Sequence, residues 1–166
     1  GGEVETQRST REYMVMVQRQ TEYTLCTTTT HVRRGGGGDV NKDGGPDLIV
    51  GASDGDAGGK VGAGYARVFS GEDGKVLYTF VGDKGQDQMG SGVDGAGDIN
   101  KDGYADFIVG ARFADPGGRT NAGIARVFSG KDGKVLYTFV GDKGQDQMGS
   151  GVDGAGDINK IGRAHV

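Results

Sequence analysis

The sequence predicts an all-β fold built from repeated units of short antiparallel strands, and three observations lead to this prediction. The segment that begins at Asp39 recurs almost unchanged from Asp98, a period of 59 residues, and a third copy begins at Asp157. Glycine supplies 36 of the 166 residues, without the every-third-residue spacing of collagen, and only 34% of residues are hydrophobic. This composition favours many short strands joined by tight turns over long helices or a membrane span.

Each repeat begins with a short loop that carries oxygen-bearing side chains at positions 1, 3, 5 and 9. Oxygen ligands of this kind, mostly carboxylates, suit Ca²⁺, and the glycine at position 6 permits the sharp turn that lets them converge. Without a cation, the clustered carboxylates would repel one another. The predicted calcium ligands, including the carbonyl at position 7, are Asp39, Asn41, Asp43, Gly45 and Asp47 in loop 1, and Asp98, Asn100, Asp102, Tyr104 and Asp106 in loop 2.

Position 12 of the loop separates this pattern from the calcium loops of EF-hands. An EF-hand requires Glu at that position and a helix on either side. Here Val50 and Val109 occupy it, each inside a predicted strand. The alternative that the Asp, Asn and Gly residues only form metal-free turns remains open. If calcium binds, we expect it to brace the connection between neighbouring strands rather than to take part in a reaction.

The repeat from Met89 to Met148 predicts four strands in succession. The apolar run 106–111 is typical of a strand covered on both faces, whereas 135–140 alternates and places Val135, Tyr137 and Phe139 on one face. Four antiparallel strands of even spacing are typical of one blade of a β-propeller, so the chain predicts an incomplete propeller. The predicted strands are residues 89–96, 106–111, 122–128 and 135–140.

The combination of Met89-Gly90, the Asp-x-Asn-x-Asp-Gly loop and the strand from Asp106 to Ala111 resembles the FG-GAP repeat of integrin α-subunit β-propellers and their bacterial relatives. The resemblance covers residues 39–160. Met stands where the first Phe of the motif is usual, and Arg112 or Ser53 replaces its Pro, which favours a divergent bacterial member. The resemblance implies an extracellular, calcium-binding module for adhesion or for binding a protein or glycan ligand, next to further propeller blades of the same parent chain.

The repeats divide the chain unequally. Residues 39–97 form repeat 1, residues 98–156 form repeat 2, and residues 157–160 begin a third. Residues 1–38 do not match the repeat and are expected to be non-native or frame-shifted. The last six residues, 161–166, read as the translation of a common sequencing adapter, so we expect the chain to be a fragment.

The residue types in the repeats argue against an enzyme. They contain no His or Cys, and their serines lie in glycine-rich turns with no base nearby in the sequence. The net charge is −4, and no basic stripe suggests a nucleic-acid partner. An accessory propeller domain of a secreted hydrolase, such as a phospholipase D-like enzyme, is the alternative function, and a structural spacer is a third.

Comparison of the two repeats locates their differences. Residues 63–101 differ from 122–160 at two positions only, whereas 53–62 differ from 112–121 at seven of ten. Strand order places these divergent loops opposite the ion loops and beside the connection between blades. Since propeller loops commonly carry binding, one hypothesis is a ligand-contacting face, and the other is drift in exposed loops. The residues of the hypothetical face are Asp54, Asp56, Lys60, Phe113, Asp115, Arg119 and Asn121.

Overall fold

The computed structural model describes residues 38–156. The third ion loop, the expected adapter tail and almost all of the unassigned N-terminal segment lie outside the described residues. Within them, no helix is long and apolar enough to cross a membrane. The described strands are β1 (Leu48–Ala52), β2 (Tyr65–Phe69), β3 (Val76–Val81), β4 (Met89–Gly97), β5 (Asp106–Ala111), β6 (Ile124–Phe128) and β7 (Val135–Val140), with one 3₁₀ turn at Pro116–Gly118.

The strands form two open antiparallel sheets in which spatial order follows chain order. The first sheet has the order β1-β2-β3, and the second has the order β4-β5-β6-β7. Each pair of neighbouring strands is therefore joined by a direct connection, as in a propeller blade. The second sheet confirms the predicted four-stranded unit, with each strand boundary within two residues of the prediction. The all-β fold class is confirmed.

The burial of the strands follows their apolar pattern. β5 lies between β4 and β6, and its Phe107 and Val109, on one face, are 1% and 0% exposed. On the other face, Asp106 and Gly110 are buried and Ile108 is half-buried. The turn that joins β6 to β7 depends on Gly133, whose φ of 69° lies in the left-handed region that glycine adopts without strain. The strand covered on both faces and the glycine turn were both predicted from the sequence.

The main core lies between the two sheets. Tyr78 and Phe80 of β3 pack against Phe107 and Phe128 of the second sheet. The ring centroids of Phe80 and Phe128 are 4.1 Å apart, and those of Tyr78 and Phe107 are 5.9 Å apart. The Tyr78 hydroxyl donates a hydrogen bond of 2.8 Å to the carbonyl of Gly130. This aromatic cluster joins one blade to the next.

A charged pair crosses the same joint. Both terminal nitrogens of Arg126, on β6, donate to the carboxylate of Asp83, which follows β3, and the Nη1–Oδ1 distance is 3.0 Å. The hydrogen bond from Arg126 lowers the pKa of Asp83 below its ordinary value. A two-pronged guanidinium–carboxylate pair fixes geometry as well as charge, so it sets how the two blades align.

Backbone contacts at glycine bring the inner strands together. A Cβ atom on Gly51 of β1 would lie 2.1 Å from the carbonyl oxygen of Gly90 on β4, so only glycine fits there. The same approach recurs one repeat later, where a Cβ atom on Gly110 would lie 2.0 Å from the oxygen of Gly149. The segment around Gly149, at the end of repeat 2, therefore contacts the second sheet as β4 contacts the first.

Candidate metal-binding loops

The two predicted ion loops fold in the same way around their first residue. In loop 1, Oδ1 of Asp39 accepts the backbone N–H of Asp43 at 3.1 Å, and Oδ2 accepts that of Gly44 at 2.9 Å. The equivalent bonds in loop 2 are 3.0 and 2.9 Å long. Position 6 is glycine in both loops, with φ values of 90° and 84°. The position 1 carboxylate therefore closes a tight turn that requires glycine.

The side chains at positions 3 and 5 converge on this turn. Oδ1 of Asn41 accepts the N–H of Asp43 at 3.0 Å, while its Nδ2 donates to Oδ2 of Asp43 at 2.6 Å. Asn100 and Asp102 repeat both bonds, at 3.1 and 3.0 Å. The pKa of Asp43 is lowered, mainly because its carboxylate accepts a hydrogen bond from the N–H of Gly45.

The carboxylates at position 9 point inward and join each loop to a distant turn. Asp106 is fully buried, and its Oδ2 accepts N–H groups of Ile99 at 2.8 Å and Asn100 at 3.4 Å. Its Oδ1 accepts the N–H of Gly130, in the turn between β6 and β7, at 3.0 Å. Asp47 makes the equivalent three bonds in the first repeat, at 2.7, 3.3 and 3.0 Å. These buried charges are thus satisfied by the backbone.

The donor chemistry of both loops fits calcium, because every predicted ligand atom is an oxygen. Within residues 38–156, however, no group of three or more Asp, Glu, His or Cys side chains is arranged to hold a metal. The side chains at positions 1, 3 and 5 lie together at the turn, whereas position 9 bonds to the backbone beneath it. The ten ligand assignments made from the sequence therefore stay predictions. The spacing of the loop did not reveal that the carboxylate at position 9 forms buried hydrogen bonds with the backbone.

The two loops contact each other across the blade joint. The ammonium of Lys42 lies 3.9 Å from the ring centroid of Tyr104, which occupies position 7 of loop 2. The N–H of Ala105 donates to the carbonyl of Asp39 at 3.4 Å. A positive charge from loop 1 therefore lies over the aromatic ring of loop 2.

The divergent loops lie beside the connection between blades, as the sequence predicted. Nε2 of Gln88 donates to Oδ1 of Asp54 at 2.8 Å, and Oε1 of the same side chain accepts from Nε of Arg112 at 2.8 Å. The guanidinium of Arg112 also lies 4.7 Å from the ring centroid of Phe113. Gln88 thus joins the divergent loops of two neighbouring blades in one polar network.

Two acidic residues of the divergent loops stabilise the loops in which they lie by accepting backbone hydrogen bonds. Oδ1 of Asp115 accepts the N–H of Asn121 at 2.7 Å, and Oδ1 of Asp56 accepts that of Gly62 at 2.8 Å. Lys60 donates to the carbonyl of Gly82 at 3.0 Å. These three side chains hold loop shape, so a ligand would meet the remaining side chains of the predicted face, among them the exposed Arg119.

Residues 89–128 match the family model described as FG-GAP repeat. The match spans β4 to β6, and with them loop 2 and the second divergent loop. No curated protein matches the chain.

Proposed function

Because the chain contains an FG-GAP repeat, we propose that it is a calcium-braced β-propeller module that binds a protein or glycan ligand outside the cell and catalyses no reaction. The observation that carries the proposal is that the side chains at positions 1, 3 and 5 converge on one turn in both copies of the loop. The position 9 carboxylates support a bracing role, since they already join each loop to a hairpin of the same blade.

Charge repulsion gives the loops a reason to bind a cation. Two carboxylates about 4 Å apart repel by about 1 kcal/mol in water and by more near a protein surface. In each loop, the aspartate at position 1 and the asparagine at position 3 both accept the backbone N–H of the aspartate at position 5, so the two carboxylates belong to one tight turn. A calcium ion would offset this repulsion and hold the loop closed. Extracellular calcium concentrations suit sites of modest affinity, which agrees with a protein that works outside the cell.

The divergent loops are the part of the molecule best suited to a ligand. Sequence variation concentrates in residues 53–62 and 112–121, while the blades that carry them are nearly identical. The polar network around Gln88 connects the two loops, so one ligand could contact both. Loops held by a rigid scaffold commonly carry binding.

Calcium titration of the full chain tests the metal sites. Isothermal titration calorimetry should show about two ions per chain. Asp39→Asn and Asp98→Asn should each remove one ion, and the double variant should remove both. Asp73→Asn is the matched control, since Asp73 lies in a hairpin turn and pairs with Lys75. The calcium sites would be contradicted if both loop variants bound as many ions as the unaltered chain. They would also be contradicted if a chain that circular dichroism shows to be folded bound no calcium.

Exchange of the divergent loops tests the ligand face separately. Residues 53–62 are replaced by the sequence of 112–121, and both proteins are applied to an array of defined glycans and to immobilised matrix proteins. The exchange should change which probes are retained while the melting temperature stays within a few degrees. An unchanged binding pattern would show that these loops do not contact the ligand.

A further inference from the structure

One arginine of the divergent loops is held in a fixed position by its neighbours. Arg112 follows β5, and its backbone N–H donates to Oγ of Ser91 at 3.2 Å. Its Nε donates to Oε1 of Gln88 at 2.8 Å, and its guanidinium lies 4.7 Å from the ring centroid of Phe113. A guanidinium that an aromatic ring and a hydrogen bond already orient loses little further freedom when it binds a ligand.

The two terminal nitrogens of Arg112 have no partner among residues 38–156, in which they form neither a hydrogen bond nor an ion pair. In the same part of the chain, the one buried side-chain polar atom without a partner is Nε of Arg67. Both terminal nitrogens of Arg112 therefore reach the surface, where their parallel N–H groups match the two oxygens of a carboxylate. Arg126 uses the same two donors on Asp83 inside the fold, whereas Arg112 offers them to a ligand.

The side chains next to Arg112 add an amide and a carboxylate to the same surface. Nε2 of Gln88 donates to Oδ1 of Asp54 at 2.8 Å, which leaves the amide a second N–H and leaves Oδ2 of the exposed Asp54 as an acceptor. Gln88 and its repeat equivalent Gln147 both have a left-handed backbone, with φ values of 56° and 53°, so the shape of the connection between blades directs this amide. Arg112 and Asp54 form no ion pair with each other and lie on either side of Gln88.

This combination of charges favours a ligand that has hydroxyl groups beside a carboxylate. Arg112 would attract a lone carboxylate and Asp54 would repel it, and a sulfated polyanion would be repelled more strongly. A sugar acid supplies a carboxylate for the guanidinium and hydroxyl donors for Asp54 from one rigid ring. A protein partner binds chiefly through apolar anchors, and Val61 is the one exposed large hydrophobic residue of 53–62 and 112–121.

We propose that the seam formed by Asp54, Gln88 and Arg112 binds a carboxylate-bearing sugar of a glycan, a uronic acid or a sialic acid. Arg112 holds the carboxylate, and Gln88 and Asp54 hold neighbouring hydroxyl groups. The proposal rests on the ligand-binding function proposed above and narrows it to one ligand class and one site. In the first repeat Ser53 stands at the position of Arg112, so Arg112→Ser removes the guanidinium by a residue that the same loop position already accepts.

Immobilised glycans that carry glucuronic acid or sialic acid test the proposal with the full chain. Each acidic glycan is paired with the same glycan whose carboxylate has been reduced to an alcohol. The chain should bind one of the two acidic glycans about tenfold or more tightly than its reduced form, because the reduced form lacks the charged pair with the guanidinium. The acid that is bound identifies the source of the carboxylate.

Arg112→Ser should weaken binding of the acidic glycan by a similar factor and leave the reduced glycan unaffected, whereas a purely structural role of Arg112 would weaken both. Arg112→Lys is a milder change that keeps the charge but not the two parallel donors, so it should weaken acidic binding several-fold. Lys131→Ser is the matched control, since it removes one positive charge beside Tyr104, on the face of the ion loops, and should change neither.

Three results would overturn the proposal. The folded chain retains neither acidic glycan, or it binds acidic and reduced forms equally, or both Arg112 variants bind the acidic glycan as the unaltered chain does. The broader ligand-binding function still stands after any of these results if exchange of residues 53–62 changes the retention of matrix proteins or other glycans. It fails as well if that exchange changes nothing.

Discussion

Replacing Asp106 by Ala should destabilise the second blade even when no calcium is present. The substitution removes one bond to the N–H of Ile99 at 2.8 Å and one to that of Gly130 at 3.0 Å, together with a weaker bond at 3.4 Å. Hydrogen bonds to a charged group contribute about 1.5 to 3 kcal/mol each. Ile99 is 42% exposed, so water can replace part of the loss on the loop side. The expected cost is about 3 kcal/mol, a large part of the stability of a typical domain.

Urea unfolding followed by circular dichroism, in a buffer that contains a calcium chelator, measures this cost. Asp98→Asn is the control, because Asp98 is an exposed residue of the same loop and should change the free energy of unfolding by less than about 1 kcal/mol under these conditions. Asp47→Ala should repeat the large effect in the first blade. If Asp106→Ala costs stability only when calcium is added, the carboxylate acts as a metal ligand alone, and the reasoning from its buried bonds is refuted.

Three further predictions concern charge and close packing. The hydrogen bond from Arg126 lowers the pKa of Asp83 in the folded protein. The carboxylate therefore adds to the free energy of unfolding above about pH 4, and this contribution is lost as the pH falls through the folded pKa. Asp83→Asn should therefore flatten the decline of the free energy of unfolding between about pH 5 and 2. Burial is the main cause that raises the pKa of Asp87, which penalises its ionised form. At pH 7, Asp87→Asn should therefore raise the free energy of unfolding in urea, whereas Asp146→Asn, at the exposed equivalent position, should not. Gly110→Ala would place a methyl group 2.0 Å from the backbone oxygen of Gly149 and should lower the midpoint of thermal unfolding by several degrees, and an unchanged midpoint would show that the strands can separate there.

The regular parts of the fold could be predicted because their signals are local. The alternation of β7, the apolar run of β5 and the glycine of the β6–β7 turn each act within a few residues. The internal repeat added a second copy of every signal. Strand positions, sheet order and the placement of the divergent loops therefore followed from the sequence.

The contacts between blades could not be predicted in the same way. Arg126 and Asp83 are 43 residues apart, and nothing near either residue identifies the other as its partner. A charged residue at the centre of the otherwise apolar strand β6 was the one available signal. The buried bonds of Asp106 were missed for a different reason, since the spacing of a calcium loop also accounts for an acid at position 9. Sequence spacing cannot distinguish a ligand from a residue that holds the loop.

The blade joint also bears on how such a chain can evolve. Each repeat carries both sides of the joint, with Tyr78 and Asp83 on one side and Phe107 and Arg126 on the other. An added or deleted unit of 59 codons would leave every remaining joint with both of its halves. Gene duplication can then change the number of blades in a single step, without any new surface having to arise by point mutation. The near-identity of residues 63–101 and 122–160 fits a recent event of this kind, with the loops at 53–62 and 112–121 left free to diverge.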